Sequence, residues 1–177
     1  MVLTCGGTRR SDLPQWKRDK AQSDRLIPEL KRICGEYLIG EAPEEDDAER
    51  NTDLIVLKLA AVRIACRIRT HEYMEAYGGE FTIRSSRPTG TKTELAKIIE
   101  GWGDYFLYGF SDAAGRILAA WMLGDLKVFR HWFASQLVKN KGNIPGTECA
   151  NKDGSSLFRA FRIDALPSNF IKARRQA

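Results

Sequence analysis

Seven carboxylates, Glu41, Glu44, Glu45, Asp46, Asp47, Glu49 and Asp53, crowd one segment of this 177-residue chain, and the cations Arg63, Arg67, Arg69, Arg84, Arg87 and Lys92 follow them. An acidic cluster ahead of a basic field suits a metal-dependent enzyme acting on a polyphosphate, because carboxylates hold the metal ion and arginines hold the polymer. The same order also describes an acidic solvated loop followed by ordinary surface strands. Glu94 and Lys97 stand at i and i+3, so a helix there projects both from one face, either as part of a site or as a solvated ion pair. Between these groups, Arg84, Arg87 and Lys92 alternate with Ser85, Ser86, Thr89, Thr91 and Thr93. Cations and hydroxyls entering a helix suit phosphate, yet the Gly-x-x-x-x-Gly-Lys spacing of a nucleotide-hydrolysing loop is absent.

Elements that would position these groups are legible in the hydrophobic pattern. Ser23 reads as an N-cap, and Leu26, Ile27, Leu30, Ile33 and Cys34 recur at helical spacing, predicting a helix over 23–35. Tyr37 to Gly40 reads as a short edge strand. Asp53 opens an apolar run to Leu59, and residues 62–69 alternate with period two, which predicts a hairpin of two strands. In the second, Arg63, Ala65, Arg67 and Arg69 share a face, and three guanidinium groups on one face demand water or anions. Strands are also expected at 81–84, 105–110 and 117–123, with a helix at 93–102 capped by Thr91 or Thr93 and another after Asp125 carrying Leu126, Phe129, Trp132, Phe133 and Leu137. Aromatics at these spacings, Trp102, Tyr105, Phe106, Tyr108 and Phe110 among them, read as core.

Helix, short strand, a strand opening with Asp53, a strand ending in basic residues, helix and strand is an order that resembles the PD-(D/E)XK nuclease superfamily, which includes restriction endonucleases and Holliday-junction resolvases. The resemblance covers about residues 23–110 and is carried by Gly35 to Pro43, Asn51 to Leu57 and Val62 to Thr70. The run from Phe81 through Thr93-Glu94-Leu95-Ala96-Lys97 to Asp104 is similar to uncharacterised phage and prophage proteins. The resemblance implies an α/β fold in which a central mixed sheet of about five strands is flanked by helices, a restriction-endonuclease-like core followed by a helical C-terminal portion. It further implies a Mg²⁺- or Mn²⁺-dependent DNA endonuclease of phage recombination, replication or repair, with Asp53 as a metal ligand. The sequence departs from the family at Glu-x-Lys. The matching positions hold Ala65 and Arg67, or Arg67 and Arg69, and arginine neither ligates a cation nor acts as a base at neutral pH. Either a carboxylate has migrated, with Glu94 the first candidate and Glu36 and Glu49 in reserve, or the fold has kept only binding. In the first case Lys97 or Arg67 would orient water or steady the charged phosphate.

Composition bounds the rest. Lys and Arg total 28 against 23 Asp and Glu, a net charge of +5 and an isoelectric point near 9.1. Hydrophobic residues at 43% suit a globular chain, and no stretch approaches the roughly 20 apolar residues that span a bilayer. Cys5, Cys34, Cys66 and Cys149 are scattered, and His71 and His131 are not spaced as a ligand pair, so neither zinc nor a disulfide framework is expected. His131 has no evident Ser or Cys partner for a hydrolase triad. The expected organisation is a basic arm over 1–22, an α/β core over 23–138 and a basic extension over 139–177, in a cytoplasmic protein that could form a homodimer. The expected partner is DNA, branched or otherwise, or structured RNA, held through Arg63, Arg67, Arg69, Arg84, Arg87 and Lys92. A phage accessory factor that occupies a host protein is the rival from another class.

Overall fold

The computed structural model describes residues 15–41, 54–56, 62–151 and 154–176. The first helix, α1, runs over Gln15–Leu38 with Pro28 inside it. It starts eight residues before the expected N-cap at Ser23, because Gln15 to Ala21 are good helix formers that carry no apolar stripe for periodicity to find. Leu26, Leu30 and Ile33 form its buried stripe. Two three-residue strands, β1 (Ile39–Glu41) and β2 (Leu54–Val56), pair antiparallel with Ile39 opposite Val56.

Four strands form the central mixed sheet: β3 (Ile64–Arg69), β5 (Tyr105–Ser111), β6 (Leu118–Asp125) and β9 (Ile171–Arg175), in the spatial order β3-β5-β6-β9. β3 runs parallel to β5, with Arg67 beside Tyr108, and the other pairs are antiparallel. The expected hairpin between 53–59 and 62–69 is not formed among the described residues: β2 pairs with β1, and β3 with β5. Period-two alternation marks a strand, but its partner is set by sheet assembly, which sequence spacing does not encode.

A second, antiparallel sheet of order β4-β8-β7 is built from β4 (Glu80–Ser86), β8 (Leu157–Arg162) and β7 (Thr147–Ala150). Between β3 and β4 the chain makes a 3₁₀ turn at His71–Tyr73 and a short helix, α2 (Met74–Tyr77). Helix α3 (Glu94–Ile99) follows β4, and α4 (Leu126–Lys139) follows β6. Asp125 caps α4 by accepting the N–H groups of Lys127 and Val128 at 2.8 and 3.2 Å. Among the described residues, the C-terminal portion expected to be helical is α-helical in α4 and has two 3₁₀ turns, Ile163–Ala165 and Ser168–Phe170. Beyond α4, strands β7, β8 and β9 complete both sheets, because Leu157 to Arg162 pairs with β4 across more than 70 residues of sequence.

Two cores lie on opposite faces of the central sheet. On one, Leu26, Leu30 and Ile33 of α1 pack against Leu107, Leu118, Trp121, Leu123 and Ala173. On the other, Phe106, Tyr108, Phe110 and Met122 meet Phe81 and Ile83 of β4, Leu95 and Ile98 of α3, Phe129 and Phe133 of α4, and Phe161 and Phe170. β5 is therefore buried on both faces, which is why it reads as an unbroken apolar run. Phe81 is the hub, with ring centroids 5.4–6.2 Å from Phe106, Tyr108, Phe129, Phe161 and Phe170. Full burial of each such side chain contributes about 1.5–3 kcal/mol, so the aromatic core fixes how α3 and β4 stand over the sheet.

Candidate nucleic-acid interface

Ala65, Arg67 and Arg69 project from the same face of β3, toward the aromatic core rather than toward open water. Only 15% of the Arg67 side chain is exposed. A guanidinium at that depth needs an anion, and it finds one: Arg67 Nη1 donates to Glu94 Oε2 at 2.8 Å. The same carboxylate oxygen accepts the backbone N–H of Arg84 at 3.3 Å. Arg67, Arg84 and Glu94 thus come from β3, β4 and α3 to one junction. Beneath them the Tyr108 and Thr82 hydroxyls meet at 3.4 Å, both buried. Arg67 Nε and the Ser85 hydroxyl are buried without a hydrogen-bond partner among the described residues. Arg69 is taken up differently, its guanidinium 4.6 Å from the centroid of the Tyr73 ring.

Local sequence explains how Glu94 reaches this point. Thr93 is the residue that caps α3, accepting the Ala96 N–H, and its hydroxyl donates to the Ser85 carbonyl at 3.4 Å. That second bond ties the start of α3 to the end of β4, which sets Glu94 over Arg67. Glu94 pairs with Arg67 rather than with Lys97, which is exposed one turn further on. In the connecting loop the Gly90 N–H closes a turn on the Arg87 carbonyl at 3.1 Å, and the Thr89 and Thr91 hydroxyls meet at 3.0 Å. Arg87 is exposed, and Lys92 forms an ion pair with Glu100.

At the other end of α3 the chain forms a loop that sequence reasoning assigned to the core. Gly101, at φ +103°, donates to the Ile98 carbonyl, and Trp102 donates to the Lys97 carbonyl, both at 3.0 Å, the paired bonds of a Schellman C-cap. Arg130 of α4 donates to the carbonyls of Ile98 and Gly103 at 3.5 and 3.1 Å. Gly103 has φ +81°, and a Cβ there would lie 2.9 Å from Leu126 Cδ1. Asp104 then locks to β3, accepting the Arg63 N–H at 2.9 Å and donating its own N–H to the Arg63 carbonyl at 2.8 Å. Trp102, held in this frame, is 61% exposed. The legible signal was Gly-Trp-Gly itself, since two glycines leave a ring little neighbouring side chain to pack against.

Of the candidate metal ligands, the two described ones, Glu36 and Glu94, lie apart. Glu36 lies on α1, which covers the opposite face of the sheet from α3, and accepts from Arg32 at 3.1 Å. Asp53 and Glu49 lie outside the described residues. Among the described residues no group of three or more His, Cys, Asp or Glu side chains could hold a metal ion. A separate groove of about 920 Å³, lined by Tyr77, Glu80, Arg162, Asp164 and Arg174, opens beside α2 and β9. No helix among the described residues is long and apolar enough to cross a membrane. No protein-family model, curated protein or solved structure matches the chain.

Proposed function

We propose that this protein binds nucleic acid through its phosphates, using the cations gathered around α3. One observation carries this reading. Arg67 and the Arg84 backbone N–H meet Glu94 at the start of that helix, Lys92 pairs with Glu100 at its C-cap, Arg87 lies in the loop before it, Lys97 lies within it, and Arg63 is bonded through its backbone to the loop after it. What remains for a partner is the exposed positive charge of Arg63, Arg87 and Lys97. Arg67 then serves from inside, holding Glu94 away from the exposed cations so that it does not cancel them. Phosphate contacts of this kind hold the polymer without reading its bases strongly.

Fluorescence anisotropy with labelled duplex at rising salt tests the reading. Each phosphate contact contributes about −0.9 to the slope of log K against log salt, and combined replacement of Arg63, Arg87 and Lys97 by alanine flattens the slope by roughly 2–3. Absence of binding at low salt to duplex, branched and single-stranded substrates rejects it.

A second reading keeps the nuclease resemblance and is favoured by where Glu94 lands. Glu94 of α3 accepts from Arg67, one of the positions at which Glu-x-Lys was expected, which supports Glu94 as the candidate for the carboxylate that β3 lacks. On this reading the protein is a restriction-endonuclease-like, Mg²⁺-dependent endonuclease in which Asp53 and Glu94 are the carboxylates to test. Plasmid nicking and branched-DNA cleavage are assayed with Mg²⁺ or Mn²⁺. Cleavage that disappears in Asp53→Ala supports the reading, whereas absent cleavage, or cleavage undiminished in Asp53→Ala, leaves binding alone.

A further inference from the structure

We infer that Trp102 is a stacking platform for an unpaired base, which makes single-stranded or locally opened nucleic acid the preferred ligand of the α3 face; the inference rests on the phosphate-binding reading above. Trp102 is 61% exposed, so most of its indole is open to a partner, and indole combines a large flat apolar surface with a polar N–H. The ring stands on a loop whose backbone is closed by the paired C-cap bonds and by the Arg130 bonds to the carbonyls on either side, with Gly103 at φ +81° beside Leu126. A loop backbone already bonded in this way does not have to be ordered when a flat surface is laid on the ring.

The surrounding charge decides between occupants. The loop is bracketed by two exposed cations: Lys97, whose carbonyl takes the Trp102 N–H, and Arg63, whose carbonyl takes the N–H groups of Asp104 and Tyr105. Of the neighbouring carboxylates, Glu100 is paired with Lys92, and Asp104 accepts the Arg63 backbone N–H. An exposed aromatic ring on a loop bonded to two residues that carry exposed cations is an arrangement that takes a base by stacking and its flanking phosphates by charge. An apolar protein partner would leave those cations without counterions. A duplex keeps its bases stacked on each other and gives the ring nothing, so the preference follows from the ring and not from the charge.

The experiment compares Trp102→Ala and Trp102→Phe with the wild-type full chain. Anisotropy is read on an oligothymidylate, an abasic oligomer of the same length and charge, and a duplex, all at one low salt concentration. Trp102→Ala is expected to weaken oligothymidylate binding about tenfold while changing abasic and duplex binding by less than about twofold, and Trp102→Phe to retain most of the wild-type affinity. Equal weakening on all three ligands overturns the proposal, because the ring then acts through structure or charge. Unchanged oligothymidylate binding in Trp102→Ala also overturns it and assigns the ring to a protein contact. Wild-type protein that binds none of the three ligands overturns the phosphate-binding reading itself, an outcome distinct from the other two.

Discussion

Arg67 on β3 and Glu94 on α3, 27 positions apart in sequence, meet at 2.8 Å where β4 passes between their elements. The pair lies at the polar edge of the aromatic core and fixes the orientation of the Glu94 carboxylate. Replacing Glu94 by Gln leaves a largely buried guanidinium with a neutral partner. Glu94 itself is 42% exposed, so solvent screening holds the pair's coupling to about 1 kcal/mol in a double-mutant cycle with Arg67→Ala, read by urea denaturation. Coupling indistinguishable from zero would show that the pair contributes nothing to stability.

Gly103→Ala tests the frame around Trp102. The residue sits at φ +81°, and its new Cβ would meet Leu126 Cδ1 at 2.9 Å. Backbone strain and the clash with a buried leucine together cost about 1–3 kcal/mol, seen as a lower urea midpoint with an unchanged slope. A variant as stable as the wild type would mean that the loop relaxes freely, which would also remove the rigidity argued for Trp102.

Phe81→Ala removes the ring on which the two sheets and α4 converge. Because Phe81 is 1% exposed and touches five other aromatic rings, the expected loss is about 3–5 kcal/mol. Phe81→Leu, which refills part of the volume, costs less. Equilibrium denaturation of both variants gives the comparison, and equal losses would show that ring contacts are not what the site requires.

Glu29 gives the fold a dependence on acid. Its carboxylate on α1 is held below its ordinary value of 4.5 chiefly by the hydrogen bond from Arg32 at 2.9 Å, with Arg175 of β9 at 3.9 Å and the Leu118 N–H of β6 adding to the effect. A carboxylate with a lowered value in the folded state binds fewer protons there than in the unfolded chain. Its contribution is therefore present above pH about 4.5 and is lost as pH falls through the folded value. Glu29→Gln should lower stability at neutral pH, with the gap to wild type closing below about pH 4.5. A gap that stays constant with pH would show that Glu29 acts through packing alone.

By itself the sequence determined strand-forming runs at 62–69, 81–84, 105–110 and 117–123, a helix capped by Thr91 or Thr93, another helix beginning after Asp125, and the buried stripe of α1, because each is written in residues a few positions apart. It also placed Glu94 and Arg67 on one short list of chemically capable residues. Only the tertiary structure decided that they meet. β3 takes β5 as its parallel partner, Thr93 ties α3 to β4, and those two long-range choices carry Glu94 to Arg67 and away from Lys97. The fate of the arginine face was decided in the same way: period two predicts that Arg67 and Arg69 share a side, but not that the side faces an aromatic core, where one arginine needs a carboxylate and the other a tyrosine ring. Trp102 was misread for the converse reason. Helical spacing placed it with Leu95 and Ile98, but the positive-φ glycine at 101 ends α3 before that spacing reaches it, and a residue beyond a helix end no longer follows the helix's face.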